Sequence, residues 1–103
     1  MIEIIDNDLS ICEGEECYLL FYFTAKWCGP CQRIKPLLQK ISEGADASKL
    51  KVYMIDIDEN DEIAKEFQIR SVPTFYLYKK KELIGQTGGG DIKKVQELLQ
   101  NIK

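Results

Sequence analysis

Two cysteines separated by two residues give the sequence its clearest capacity for chemistry. Cys28 and Cys31 belong to the stretch Trp27-Cys28-Gly29-Pro30-Cys31, which follows an apolar run at residues 18–23 and opens an amphipathic stretch at residues 31–43. This pattern places the first cysteine where a strand ends and a helix starts. The free N–H groups and the dipole of a helix start favour a thiolate over a thiol. The second cysteine, about one turn later, can attack a mixed disulfide formed by the first, so the spacing indicates reversible dithiol chemistry.

The segments around the cysteine pair predict a strand, a helix and a second strand. Residues 18–23 are all apolar or aromatic, which is typical of a strand covered on both faces. Residues 31–43 carry apolar side chains at helical spacing, which predicts a helix kinked by Pro36 and capped by Gly44. Residues 52–57 form the next apolar run. Because a helix connects the two strands, we expect them to be parallel.

The remaining apolar patterns predict three further strands and two more helices. These are strands at residues 2–5, 74–78 and 83–84, and helices at residues 63–67 and 91–102. Residues 9–17 can form only a turn or two of helix, and residues 79–82 make a tight connection that predicts an antiparallel hairpin. Glycines at 88–90 break the last strand, and Asp91 caps the last helix. We therefore expect an α/β fold with a central mixed sheet of four to five strands and helices on both faces, in a single domain over residues 1–103.

Composition and charge exclude several classes of protein. The chain has 103 residues, of which 45% are hydrophobic and 30% charged, a balance ordinary for globular proteins. The formal net charge of −3 argues against nucleic acids and anionic membranes as partners. The absence of histidine excludes a His-based metal site and a Cys–His nucleophile, and 4 cysteines are too few for a secreted disulfide scaffold. With no leader-like or membrane-spanning apolar run, we expect a cytoplasmic protein.

These motifs together resemble the thioredoxin family over essentially the whole chain. The stretch from Trp27 to Cys31 is the active-site pentapeptide of that family in full, and Pro36 falls where the family carries its helix-kinking proline. Val72-Pro73-Thr74 resembles the family loop whose proline is cis and faces the disulfide, and Gly89 falls where the family has a glycine beside the substrate groove. A cysteine pair alone is a weak signal, but the combination is specific.

The resemblance implies a thioredoxin-type protein disulfide oxidoreductase with protein-disulfide reductase activity, acting in electron transport and cell redox homeostasis. Cys28 would be the nucleophile and Cys31 the resolving thiol, while Gly29 and Pro30 set the turn and tune the reduction potential. No cofactor or metal would be bound, because NADPH and FAD act through a partner, thioredoxin reductase. The implied clients are peroxiredoxins, ribonucleotide reductase and sulfoxide reductases, and the protein is expected to be a monomer.

A substrate groove is implied beside the cysteine pair. Trp27 would shield the site and pack on the client, and the Val72 backbone would pair with an extended client segment. The ring of Pro73 would stand where a metal ligand would otherwise fit, which argues against zinc. The full set of groove residues comprises Trp27, Val72, Pro73, Thr74, Gly88 and Gly89.

Two residues behind the pair depart from the family pattern. Tyr22 stands where the family usually has a buried aspartate, and Met54 stands where it often has a lysine close to that aspartate. The aspartate and the lysine are expected to be lost together, because a buried carboxylate without its ammonium neighbour destabilises the fold. A phenol is a poor base near neutral pH, although Tyr22 could orient a water or hydrogen-bond a thiol.

This departure leaves other functions open. One is a specialised isomerase or an oxidoreductase with few clients, and another is a thioredoxin-fold binding subunit of a larger complex. The intact pair, Cys28 and Cys31, argues against a purely structural role, because such a role needs neither thiol.

The two remaining cysteines and the two charged clusters are first given structural interpretations without a functional role. Cys12 and Cys17 are read first as two unrelated thiols, with a second disulfide or a regulatory oxidation site as the alternatives. A zinc site built from all four cysteines would destroy the redox pair. The lysines at 79–81 predict a solvated turn, and the acidic residues at 56–62 a solvated loop that lacks the spacing of a calcium site.

Overall fold

A mixed sheet of five strands forms the centre of the fold, and the computed structural model describes all residues 1–103. The strands are β1 (Ile2–Glu3), β2 (Tyr18–Thr24), β3 (Leu50–Asp56), β4 (Thr74–Lys79) and β5 (Glu82–Gly88). Their order across the sheet is β1-β3-β2-β4-β5. Strands β1, β2 and β3 are parallel, whereas β4 is antiparallel to both β2 and β5. The predicted crossover unit and hairpin are therefore both present.

Three helices cover the two faces of the sheet. They are α1 (Gly29–Gly44), α2 (Asp61–Glu66) and α3 (Ile92–Leu99), and Ser10–Cys12 forms a single 3-10 turn. Side chains of α1 and α3 share one buried cluster with β2, while α2 and the 3-10 turn pack on the opposite face. The α/β class with helices on both faces is confirmed. None of these helices combines the length and the apolar character needed to cross a membrane.

Strand β2 is central because every one of its side chains is apolar, aromatic or a small hydroxyl. All seven of its residues are buried. Leu20 and Tyr22 face α1 and α3, whereas Phe21 and Phe23 face an aromatic cluster on the other side. Burying a large apolar side chain contributes about 1.5–3 kcal/mol. This strand therefore fixes the residues that follow it, and the cysteine pair comes next in the chain.

Several predicted boundaries shift for local reasons. Helix α1 begins at Gly29, not at Cys31, because Cys28 serves as its N-cap and a proline is tolerated in the first turn. Gly44 is the last helical residue and not a cap beyond the end, and Ala45 follows in an extended conformation. At the other end of the chain, α3 stops at Leu99.

The hairpin is also longer than predicted. Strand β5 continues through Gly88, so the break falls after it, and Gly89 takes a positive φ of 91°. Lys80 and Lys81 alone form the connection, with φ values of 49° and 67°. Positive φ at two successive residues is the turn geometry that matches strand twist in a two-residue hairpin.

Candidate active site

The cysteine pair forms a disulfide at the start of α1. Cys28 is the N-cap of the helix, and the backbone N–H of Cys31 donates to Cys28 Sγ at 3.2 Å. The two Cα atoms lie 5.2 Å apart. Cys28 is 5% exposed and Cys31 is fully buried, so an incoming group reaches Cys28 first. After reduction, the N–H donor and the helix dipole stabilise a thiolate at Cys28.

The loop before β4 forms the opposite wall of the site. The Val72–Pro73 peptide bond is cis, and the Val72 carbonyl oxygen lies 3.6 Å from Cys28 Sγ. The N–H of Gly89 donates to the Pro73 carbonyl at 3.0 Å, and the Thr74 hydroxyl donates to the Ser71 carbonyl at 2.6 Å. The predicted residues of the loop and of the β5 end therefore meet beside the disulfide.

A further glycine closes this wall. A Cβ atom built on Gly90 would lie 3.1 Å from Pro30 Cβ, and one on Gly88 would lie 3.5 Å from the Pro73 carbonyl oxygen. Gly90 is therefore a site residue that sequence reasoning missed. Its signal was the run of three glycines, but that run does not say which of them approaches the cysteine turn.

Trp27, which directly precedes Cys28, is exposed and anchored by a hydrogen bond. Its side chain is 69% exposed, and its indole Nε1 donates to Asp58 Oδ2 at 2.8 Å. Asp58 is held in turn, because its N–H donates to the buried Asp56 carboxylate at 2.8 Å. The prediction that the acidic residues at 56–62 form a solvated loop is therefore wrong for Asp56, which is buried, whereas Asp58 is exposed. They fold back on themselves and fix the indole.

Tyr22 lies directly behind the second cysteine. It is fully buried, and its ring stacks on Phe75 with centroids 5.4 Å apart and planes 11° apart. Its hydroxyl donates to the Cys31 carbonyl oxygen at 2.7 Å and not to a thiol. Burial raises the pKa of Tyr22 above its ordinary value, so the phenol is neutral near pH 7. Tyr22 therefore braces the first turn of α1 and cannot serve as a base.

The residues next to Tyr22 complete an apolar setting. Met54 is its register partner on β3, as the family pattern suggests, and packs half-buried against the core. Thr24 was not identified from the sequence. Its hydroxyl is the one buried side-chain polar atom with no hydrogen-bond partner.

The family profile described as Thioredoxin matches residues 8–103. This chain belongs to the thioredoxin family. It is 39% identical to the thioredoxin of Malassezia sympodialis over 83 residues, which cover 81% of this chain and 79% of the relative. It is 36% identical to the thioredoxin of Porphyra purpurea over 99 residues, covering 96% and 84%. The solved structure of reduced Schistosoma mansoni thioredoxin pre-protein superposes with a TM-score of 0.88 at 32% identity, covering 99% of this chain and 97% of that one.

Family membership and the cysteine pair together define the class of activity. The protein is a dithiol–disulfide oxidoreductase with a redox-active disulfide centre and protein-disulfide reductase activity. Thioredoxins work without a bound cofactor. No three side chains among the cysteines, aspartates and glutamates are grouped to hold a metal ion. Cys12 and Cys17 are free thiols and lie outside the active site.

Proposed function

We propose that the protein reduces disulfide bonds of client proteins, with Cys28 as the nucleophile and Cys31 as the resolving thiol. The observation that carries this assignment is the position of Cys28 at the N-cap of α1, where its sulfur accepts the N–H of Cys31 at 3.2 Å. A thiolate is stabilised there, and Cys28 is the more exposed of the two sulfurs. In the first step the Cys28 thiolate attacks a client disulfide. A mixed disulfide forms, and the other client sulfur leaves as a thiolate.

The second step releases the client. Cys31 loses its proton to solvent and attacks Cys28 Sγ, so the mixed disulfide breaks, the client sulfur leaves as a thiolate, and the Cys28–Cys31 disulfide of the structure forms. Tyr22 is neutral and its hydroxyl is committed to the Cys31 carbonyl. The rate of this step should therefore follow the ionisation of Cys31 itself, with no neighbouring acid that titrates near pH 7.

The groove around the disulfide is proposed to bind the client backbone. An extended client segment would pair with the backbone of Val72, and the exposed face of Trp27 would pack on its side chains. Gly88, Gly89 and Gly90 leave room for this approach, because none of them carries a side chain. Main-chain pairing of this kind tolerates many client sequences.

The partners follow from the family. We propose recycling by thioredoxin reductase, through which NADPH and FAD supply electrons, and clients of the peroxiredoxin, ribonucleotide reductase or sulfoxide reductase types. One similar solved structure, at a TM-score of 0.84 and 26% identity, comes from a study of the thiol-resolving mechanism of a yeast mitochondrial 1-Cys peroxiredoxin. The subject of that study supports peroxiredoxins as a first client class to test.

We propose that the protein acts as a monomer with one domain over residues 1–103, in electron transport and redox homeostasis of the cytoplasm. Relatives include a mitochondrial thioredoxin of Oryza sativa subsp. japonica, 32% identical over 102 residues. Fractionation of cells that express the native chain would distinguish the two compartments.

Reduction of insulin by dithiothreitol, followed as turbidity, tests the proposed activity. The protein should accelerate precipitation over the uncatalysed reaction, because it cycles between the dithiol and the disulfide. Cys28→Ser should abolish the acceleration, and Cys12→Ser is the matched control that should retain it. No acceleration by the native protein would refute the reductase function and favour a binding role.

A further inference from the structure

The guanidinium of Arg33 lies beside the cysteine turn. A Cβ atom built on Gly29 would lie 3.2 Å from Arg33 Nη1, and 3.9 Å from both Cζ and Nη2 of the same side chain. Gly29 directly follows Cys28 in the chain, and both Gly29 and Arg33 are exposed. A positive charge therefore stands over the residue next to the cysteine that a client disulfide meets first.

The geometry of α1 places the charge there. Gly29 and Arg33 are four residues apart in this helix, so they lie on the same face, one turn apart. Side chains of a helix lean towards its N-terminus, which directs Arg33 back over Gly29. Gly29 has no side chain of its own, so the guanidinium can approach the backbone of the turn closely. The position of the charge thus follows from the spacing of a glycine and an arginine.

The charge of Arg33 is not neutralised within the molecule. Neither ion pair of the structure includes it. Helix α1 also has no acidic residue in its first turn. By contrast, Lys26, the cation that precedes Trp27, pairs with Glu59 at 2.9 Å. Arg33 is therefore free to bind an anionic group that approaches the disulfide.

Two carboxylates on neighbouring loops are already used in hydrogen bonds. Asp58 accepts the N–H of the Trp27 indole at 2.8 Å. Asp91 is the N-cap of α3 and accepts the backbone N–H of Lys93 at 2.9 Å. Neither carboxylate forms an ion pair with Arg33. A client that reaches the cysteine turn therefore meets an unpaired guanidinium and carboxylates that already have partners.

We infer that Arg33 determines client specificity by binding a carboxylate one or two residues from the cysteine that Cys28 attacks. The inference rests on the proposed reduction of client disulfides. An extended client segment advances about 3.3 Å per residue, so its residues next to the attacked cysteine can reach the guanidinium over Gly29. A guanidinium donates two parallel hydrogen bonds to a carboxylate, which orients the client as well as attracting it. The preferred clients are thus disulfides flanked by aspartate or glutamate.

This local charge opposes the charge of the whole chain. The formal net charge is −3, which by itself disfavours acidic clients. At about 0.15 M salt, exposed charges more than about 8 Å apart are largely screened, so the contact with Arg33 decides the preference. An exposed ion pair changes an equilibrium by about 1.5- to 5-fold. We therefore expect an acidic client to be favoured by about threefold at that salt concentration.

Three peptide disulfides of one sequence test the inference. Each is a disulfide-linked dimer, and the residues on both sides of its cysteine are glutamate, lysine or glutamine. The native protein reduces them with dithiothreitol as electron donor, and kcat/KM is divided by the rate constant for dithiothreitol alone, which removes differences in intrinsic reactivity. The glutamate peptide should be reduced about threefold faster than the lysine peptide. Equal rates, or faster reduction of the lysine peptide, would overturn the inference, whereas no reduction of any peptide would overturn the proposed function with it.

Variants of α1 separate the charge of the client from other effects. Arg33→Gln should lose the preference for the glutamate peptide, and Arg33→Lys should keep part of it, because a charge remains without the planar fork. Lys35→Gln is the matched control, since it removes a positive charge about 200° further round the helix and should keep the preference. An equal loss of preference in Lys35→Gln would contradict the inference. Slower reduction of both peptides alike in Arg33→Gln would also contradict it, because Arg33 would then act on Cys28 and not on the client.

Discussion

Removing the hydroxyl of Tyr22 should cost stability without changing the pH dependence of the activity. Tyr22→Phe keeps the ring that stacks on Phe75 but deletes the hydrogen bond of 2.7 Å to the Cys31 carbonyl. A buried neutral hydrogen bond contributes about 1 kcal/mol net. For a protein of this size, a loss of 1 kcal/mol lowers the melting temperature by roughly 4–8 °C. With an m-value of about 2 kcal/mol/M, the urea midpoint falls by roughly 0.5 M.

Urea unfolding and the pH profile of insulin reduction measure the two parts of this prediction. Tyr76→Phe is the matched control for stability, because it deletes a tyrosine hydroxyl that donates to the Phe67 carbonyl at 3.2 Å, away from the disulfide. It should lower the free energy of unfolding by a similar amount and leave the activity unchanged. Tyr22→Phe should lower the activity only modestly, at all pH values alike, because a phenol with a raised pKa stays protonated from pH 5 to about 9.

An inflection near neutral pH that is present in the native protein and absent from Tyr22→Phe would refute this reasoning, because Tyr22 would then be a titrating group. The reverse substitution is also informative. Tyr22→Asp combined with Met54→Lys restores the pair of charges on two residues that are partners in the sheet register. This variant should speed release of the client near pH 7 in single-turnover experiments. An unchanged or lower rate would show that the residue behind Cys31 does not limit that step.

Three further predictions concern other parts of the molecule. Cys31→Ser should trap clients as mixed disulfides on Cys28, and a lysate without adducts that dithiothreitol releases would contradict the order of attack. Asp58→Ala should free the Trp27 indole and reduce insulin turnover severalfold. The loss of stability should be small, because the hydrogen bond between Trp27 and Asp58 is exposed. Unchanged turnover would show that this hydrogen bond is not needed for activity. Since the folded pKa of Cys12 is about 11 against 9.0 for the free thiol, its contribution to stability is complete below pH 9 and is lost as pH rises towards 11. In urea unfolding of the reduced proteins, the free energy of unfolding of Cys12→Ser should therefore fall less steeply between pH 9 and pH 11 than that of the native protein. An equal fall in both proteins would contradict the raised pKa of Cys12.

The elements of the fold could be predicted from the sequence because local patterns specify them. The unbroken apolar run at 18–23 predicts a central strand, and the helical spacing after Cys31 predicts α1. The cis bond before Pro73 was implied by the family resemblance and is present. Boundaries were less accurate, since capping by Cys28 depends on the geometry of its own turn and the extension of β5 to Gly88 depends on pairing with the distant Thr74.

The contacts that tune the site could not be predicted in the same way. The anchor between Trp27 and Asp58 joins residues 31 positions apart, and no local pattern marks it. The sequence identified Tyr22 as a departure from the family but did not give its partner. That partner, the Cys31 carbonyl, depends on how α1 lies across β2. Client binding in the groove and the monomeric state stay predictions.

The rate of alkylation of each cysteine as a function of pH tests the central claim most directly. The reduced native protein is treated with iodoacetamide for short times, and modification at Cys28 and Cys31 is quantified by peptide mass spectrometry. Cys28 should react first, with a midpoint well below that of a free thiol, because the helix N-terminus and the Cys31 N–H stabilise its thiolate. Cys31 should remain unmodified over the same interval. Equal reactivity of the two thiols, or a midpoint for Cys28 at or above that of a free thiol, would contradict the assignment of Cys28 as the nucleophile.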